Sequence, residues 1–154
     1  MNPRGDHRAF SLLELVIVLA ILALLASMAA ARFAAASTHY RLDAAARRVA
    51  ADFALARSWA RTTSRSQPVV FQAASGKYQL PNVRPLDTAS GTYFVYLKDA
   101  PYKLDSVKVD FAGQTTVTFD AYGYPDRGGT VTLEAGVALM KVVLDKTSGK
   151  ATVQ

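Results

Sequence analysis

Apolar side chains run almost unbroken from Phe10 to Ala31, with Ser11, Glu14 and Ser27 as the only polar residues among them. The pattern then changes without a proline. Leu42, Ala46, Val49, Phe53, Ala56 and Ala60 recur every three or four residues, the spacing of one helix face. Arg41, Arg47, Arg48, Arg57 and Arg61 mostly take the other faces. Alanine is abundant throughout and has the strongest helix propensity. The spacing predicts a single helix from about Ser11 to Thr62, roughly 78 Å long at about 1.5 Å per residue. Its first half is apolar on every side and needs lipid or other helices around it. Its second half carries a stripe that must meet a domain.

Thr62 to Pro68 closes the helix with Thr, Ser and Pro. The period then becomes two. Strands are predicted at Val69–Gln72, Lys77–Leu80, Thr92–Leu97, Ser106–Phe111, Thr115–Phe119, Thr130–Leu133, Leu139–Leu144 and Ala151–Val153, each rich in Val, Thr, Tyr or Phe. Ser75-Gly76, Ala112-Gly113-Gln114, Arg127-Gly128-Gly129 and Ser148-Gly149 mark turns, and Asn82 to Gly91 reads as a loop. In "VKVDF", Val107, Val109 and Phe111 alternate with Lys108 and Asp110, so one strand face is dry. The stripe from Leu42 to Ala60 is the candidate cover for that face. The fold class is α+β: a long N-terminal helix packed against a C-terminal antiparallel β-sheet head.

The apolar run covers roughly 33 Å, close to a hydrocarbon core of about 30 Å. A carboxylate at the centre of a bilayer costs about 2.5–3.5 kcal/mol, and less toward the edge, where Glu14 falls. Such a residue is by default a functional one. Arg4 and Arg8 ahead of the run favour a cytoplasmic N-terminus. Two plainer readings stay open: a secretory signal cut after Ala31, and a simple anchor that tolerates an acid.

Charge and chemistry narrow the picture little. The net charge is +6, which suits acidic partners, nucleic acid or anionic lipid without choosing among them. There is no cysteine, so disulfides and thiolate chemistry are excluded. His7 and His39 have no acid or metal partner near them in sequence, and a nucleophile without a base is not a catalytic site. No enzyme activity, cofactor or metal is expected. Asp120, Asp126 and Glu134 could be imagined as an oxygen cluster for calcium, but they lack the spacing of a calcium-binding loop. The segment "FDAYGYPDRGG" reads as a turn between strands. Arg41, Arg47, Arg48, Arg57 and Arg61 are candidate nucleic-acid contacts. The alternative for them is a solvated face or a set of ion-pair partners.

The opening "FSLLELVIVLAI", Phe10 to Ile21, resembles type IV pilins and type II secretion pseudopilins. Members of that family share a short basic leader, a cut before Phe and a motif close to "FTLLELLVVLAI". "VTFDAYGYPDRGGTVTL" followed by "MKVVLDKTSGKATV" is similar to the GspH/FimT branch of minor pseudopilins. The resemblance implies four segments: a cytoplasmic leader at 1–9, a transmembrane and filament-core helix at 10–31, its amphipathic continuation at 32–62, and a β-rich periplasmic head at 63–154. It implies cleavage by a prepilin peptidase between Ala9 and Phe10, with methylation of the new amine on Phe10. The usual residue before the cut is Gly, and here it is Ala9. It also implies that Glu14 pairs with the Phe10 amine of a neighbouring subunit during assembly. The partners implied are other pilins or pseudopilins, the peptidase and an inner-membrane assembly platform. The function implied is that of a minor pseudopilin in a type II secretion system, with a minor pilin of a type IV pilus, active in assembly or DNA uptake, as the alternative.

Overall fold

Alanine-rich sequence and the absence of an internal proline let one helix, α1, run from Leu12 to Thr63. A computed structural model describes residues 11–85 and 91–154, apart from the side chains of residues 28–31, 34 and 35. The chain divides into two units, Met1–Ser37 and Thr38–Gln154.

In the second unit the strands are β1 (Gln67–Gln72), β2 (Lys77–Leu80), β3 (Tyr93–Tyr96), β4 (Ser106–Asp110), β5 (Thr116–Phe119), β6 (Gly129–Ala135), β7 (Ala138–Leu144) and β8 (Ala151–Val153). They coincide with the eight predicted segments to within a few residues at each end. They form two four-stranded antiparallel sheets, not one: β3-β2-β1-β5 and β4-β6-β7-β8. The chain leaves the first sheet after β3, builds β4 in the second, and returns to place β5 against β1. Thr116 to Phe119 pair with Val70 to Gln67 on that return.

The alternation of wet and dry positions holds along β1 to β7. Val69 and Phe71 of β1, Tyr78 and Leu80 of β2, Val117 and Phe119 of β5, and Val131 and Leu133 of β6 are buried. So is the whole predicted helix stripe, from Leu42 to Ala60, joined by Ala45. These residues make one cluster fed by the helix and by both sheets. Phe53 sits at its middle. Its ring lies 6.0 Å from Phe71 of β1, 6.5 Å from Phe119 of β5, and 6.0 Å from Phe111, which follows β4, in an edge-on arrangement. Such aromatic pairs add about 0.5–1.5 kcal/mol each beyond the area they bury.

At Gly129 a Cβ atom would lie 2.2 Å from the Asp110 carbonyl oxygen and 2.4 Å from Phe111. Only a residue without a side chain lets β6 begin that close to the end of β4. The "FDAYGYPDRGG" segment is a turn, as predicted. Asp120 Oδ1 accepts the amides of Tyr122 and Tyr124, both at 2.9 Å, and Asp126 Oδ1 accepts that of Thr118 at 2.9 Å.

Candidate assembly surface

From Leu12 to Leu25 the helix shows large apolar side chains on every face. Leu12, Leu13, Leu15, Val16, Ile17, Val18, Leu19, Ile21, Leu22, Leu24 and Leu25 are all exposed. Burying such a side chain is worth about 1.5–3 kcal/mol, and a contiguous apolar surface of this kind marks a site of contact with protein or lipid. Its polar groups are few. Ser27 returns its hydroxyl to the Leu24 carbonyl at 2.7 Å, a bond that satisfies it within the helix. Glu14 stands exposed in the first turn. A carboxylate there is favourably placed against the positive end of the helix dipole.

Among the described residues no helix is long and apolar enough to cross a membrane. The predicted span from Phe10 to Ala31 includes Phe10 and the side chains of residues 28–31, which lie outside the described residues. Ala9 and Phe10, the predicted cleavage pair, and His7 also lie outside them.

The predicted basic set separates into pieces. Arg47 Nε pairs with Asp43 at 2.8 Å, and Arg41 Nη2 donates to Thr38 Oγ1 at 3.2 Å. Arg48 belongs to a buried polar cluster that sequence reasoning did not anticipate. Asp52, only 4% exposed, lies on the apolar stripe between Val49 and Phe53. It accepts the Tyr78 hydroxyl at 2.6 Å and the Tyr93 hydroxyl at 2.9 Å, while Arg48 Nε approaches at 3.2 Å. Arg48 Nη2 also donates to the Tyr93 hydroxyl oxygen. Burial first, then the Asp52 charge and hydrogen bond, push Tyr93 up to about 12 and hold Tyr78 well above the usual tyrosine value. Both phenols therefore stay protonated and donate. The cluster ties α1 to β2 and β3. An acid on an apolar stripe, four residues after an arginine, is its local trace, but the two phenols that bury it lie 26 and 41 residues away in sequence.

Arg57 and Arg61 fall elsewhere, on a groove between α1 and the β7–β8 hairpin that is also lined by Ala50, Ala54, Lys150 and Thr152. None of the three cations forms an ion pair among the described residues. The carboxylates of Asp120, Asp126 and Glu134 are otherwise engaged. Asp120 and Asp126 accept backbone amides, Glu134 pairs with Lys108 at 2.6 Å, and no metal-binding cluster of three such residues exists among the described residues.

The arrangement is a helix with exposed apolar side chains from Leu12 to Leu25, joined in sequence to a head in which Asp52, Tyr78, Tyr93 and Arg48 tie helix to sheet. The family model for the type II transport protein GspH matches residues 45–148, most of the chain. The chain belongs to the GspH family. The prokaryotic N-terminal methylation motif matches residues 4–30, so the GspH-type head and the prepilin motif occur on one polypeptide. No curated protein and no solved structure matches. The GspH family, a branch of the pilin-like proteins, is structural rather than catalytic. Membership implies assembly with other pilin-like subunits and processing by a prepilin peptidase. The methylation motif points to a membrane-anchored subunit.

Proposed function

We propose that this chain is a minor pseudopilin of a type II secretion system. It sits in the bacterial inner membrane through residues 10–31, with its N-terminus cytoplasmic and residues 63–154 as a periplasmic head. Through its helix it assembles into the pseudopilus that drives protein export. The observation that carries this reading is the GspH match over residues 45–148 together with the methylation motif over residues 4–30. The exposed apolar surface from Leu12 to Leu25 supports it, because that surface needs either lipid before assembly or neighbouring helices after it.

In this reading the peptidase cuts between Ala9 and Phe10 and methylates the Phe10 amine. The Glu14 carboxylate of one subunit then meets the Phe10 amine of the next. Two opposite charges buried together offset a desolvation that neither could bear alone. The test is the mature N-terminus, read by mass spectrometry, together with export in a deletion strain. An N-methylated Phe10 and export restored only by the intact gene are expected. An N-terminus at Arg32, as for a cleaved secretory signal, overturns the proposal.

Arg57, Arg61 and Lys150, which form no ion pair among the described residues, favour one rival, a minor pilin of a type IV pilus engaged in DNA uptake. In that case the protein should retard labelled DNA at low salt and release it steeply as salt rises.

A further inference from the structure

The second sheet ends at β8, which pairs with β7 alone. Lys141 and Gln154 exchange both backbone hydrogen bonds, at 2.9 and 2.8 Å, and the Asp145 amide donates to the Lys150 carbonyl at 2.9 Å. Antiparallel ladders alternate, so Lys150, Thr152 and Gln154 face β7 with their main-chain groups. Ala151 and Val153 then turn their N–H and C=O groups to the open edge. Ala151 lines the groove of about 640 Å³ whose opposite wall is α1.

That wall is built for close approach. Ala50, Ala54, Arg57, Ser58 and Arg61 follow helical spacing and share one side of α1, and the two alanines keep the slot open. Arg57 and Arg61 stand along the same wall with Ser58 and Thr62, and Lys150 and Thr152 line the groove from the hairpin. Arg57 Nε is buried and has no hydrogen-bond partner among the described residues. The nearest acid on the hairpin, Asp145, is occupied by the Ser148 amide at 2.6 Å.

We propose that this groove receives an extended acidic segment of a neighbouring subunit, added to β8 as a further strand. Its main chain bonds to the Ala151 edge, and its carboxylates meet Arg57, Arg61 and Lys150. Strand addition draws affinity from main-chain hydrogen bonds and selectivity from the side chains that flank them. The open strand edge and a lining without aromatic side chains among the described residues favour a peptide over single-stranded nucleic acid, whose bases stack on aromatic rings. The source of the segment rests on the assembly reading. The groove's preference does not, so failure to bind peptide leaves that reading intact.

The test uses the full chain in detergent micelles and a fluorescein-labelled peptide of alternating glutamate and valine, followed by anisotropy at low salt. Binding is expected, with a Lys–Val counterpart failing to bind. Replacing both Arg57 and Arg61 by Ala should weaken it by about tenfold or more. Ala54→Phe, at an exposed helix position, should block the slot with every charge in place, so that a loss there cannot come from electrostatics. N-methylation of alternate peptide amides should abolish binding in one of the two phases. No binding by the unaltered chain, or binding that survives both sets of substitutions, overturns the proposal. So does an oligonucleotide that displaces the peptide and binds more tightly through the same arginines.

Discussion

The Tyr78 hydroxyl donates to Asp52 Oδ2 at 2.6 Å across 26 residues of sequence, joining β2 to the buried face of α1. With Tyr93 and Arg48 on the same carboxylate, the acid is satisfied inside an otherwise apolar stripe. A hydrogen bond to a charged group is worth about 1.5–3 kcal/mol, and removing one partner of a buried charge costs about 3–5 kcal/mol. Tyr78→Phe should therefore destabilise the fold by about 1.5–3 kcal/mol. Asp52→Ala should cost more, because it leaves Arg48 and two phenols without their acceptor. Chemical denaturation of the full chain in detergent, followed by tyrosine fluorescence or circular dichroism, measures both. Equal stability of Tyr78→Phe and the unaltered chain would mean that the cluster does not hold helix to sheet.

The same cluster predicts an alkaline limit. Unfolded tyrosine ionises near pH 10, whereas Tyr93 is pushed up to about 12 and Tyr78 is also raised. The folded state binds these protons more tightly than the unfolded state does. Their contribution is complete below pH 10 and is lost as pH rises toward and through 12. The midpoint of denaturation should fall over that interval. Replacing both tyrosines by Phe should flatten the fall while lowering stability at neutral pH.

Helix and strands are legible in the sequence because their periods are local. Leu42 to Ala60 declare a buried helix face with no knowledge of what covers it, and the eight β segments show their alternation residue by residue. The division into two sheets is not legible. Nothing within "TTVTF" says that it returns to pair with "QPVV" across the β4 strand that precedes it. The fate of the arginines is likewise decided by distant partners. Arg48 meets Tyr93, on a strand far along the chain, while Arg57 and Arg61 meet the final hairpin. The polar Asp52 was hidden by its neighbours, since a single acid on an apolar stripe reads as an exposed turn of helix until two phenols arrive.

Phe53 offers a packing test. Its ring touches aromatic residues contributed by β1, by β5 and by the segment after β4, so its loss opens a cavity where helix and both sheets meet. Phe53→Ala should cost about 3–5 kcal/mol, and Phe53→Leu less, because most of the volume is kept. Denaturant midpoints for the two variants set the order. A cost for Phe53→Ala below that of Phe53→Leu would contradict the packing described.

Gly123 adopts φ +84 in the turn after β5, and a Cβ there would lie 2.7 and 2.8 Å from Arg61 Cδ and Cγ. Gly123→Ala thus meets both a backbone penalty and two arginine stems that line the hairpin groove. A loss of roughly 1 kcal/mol or more is expected from the backbone alone. Moving the arginine stems should also alter binding of the acidic peptide. Stability and anisotropy measured on the same preparation separate the two effects. A variant as stable as the parent would show that the turn does not require its left-handed residue.

Glu14 is the sharpest test of the assembly reading, since an exposed acid in an apolar helix end has no partner inside its own subunit among the described residues. Glu14→Gln keeps the shape and removes the charge, and it lowers the cost of entering lipid, so membrane insertion and cleavage before Phe10 should persist or improve. Incorporation into the filament should fall sharply, because the neighbouring Phe10 amine would then be buried without a counter-ion. Removing that amine's charge by acetylation in a reconstituted system should depress assembly of the unaltered chain in the same way. The two changes together should cost less than the sum of each alone, the mark of a direct pair. Filament incorporation and leader cleavage, measured side by side by immunoblot of sheared and membrane fractions, distinguish an assembly defect from a processing one. Normal incorporation of the Gln variant would leave the charge pair without a role.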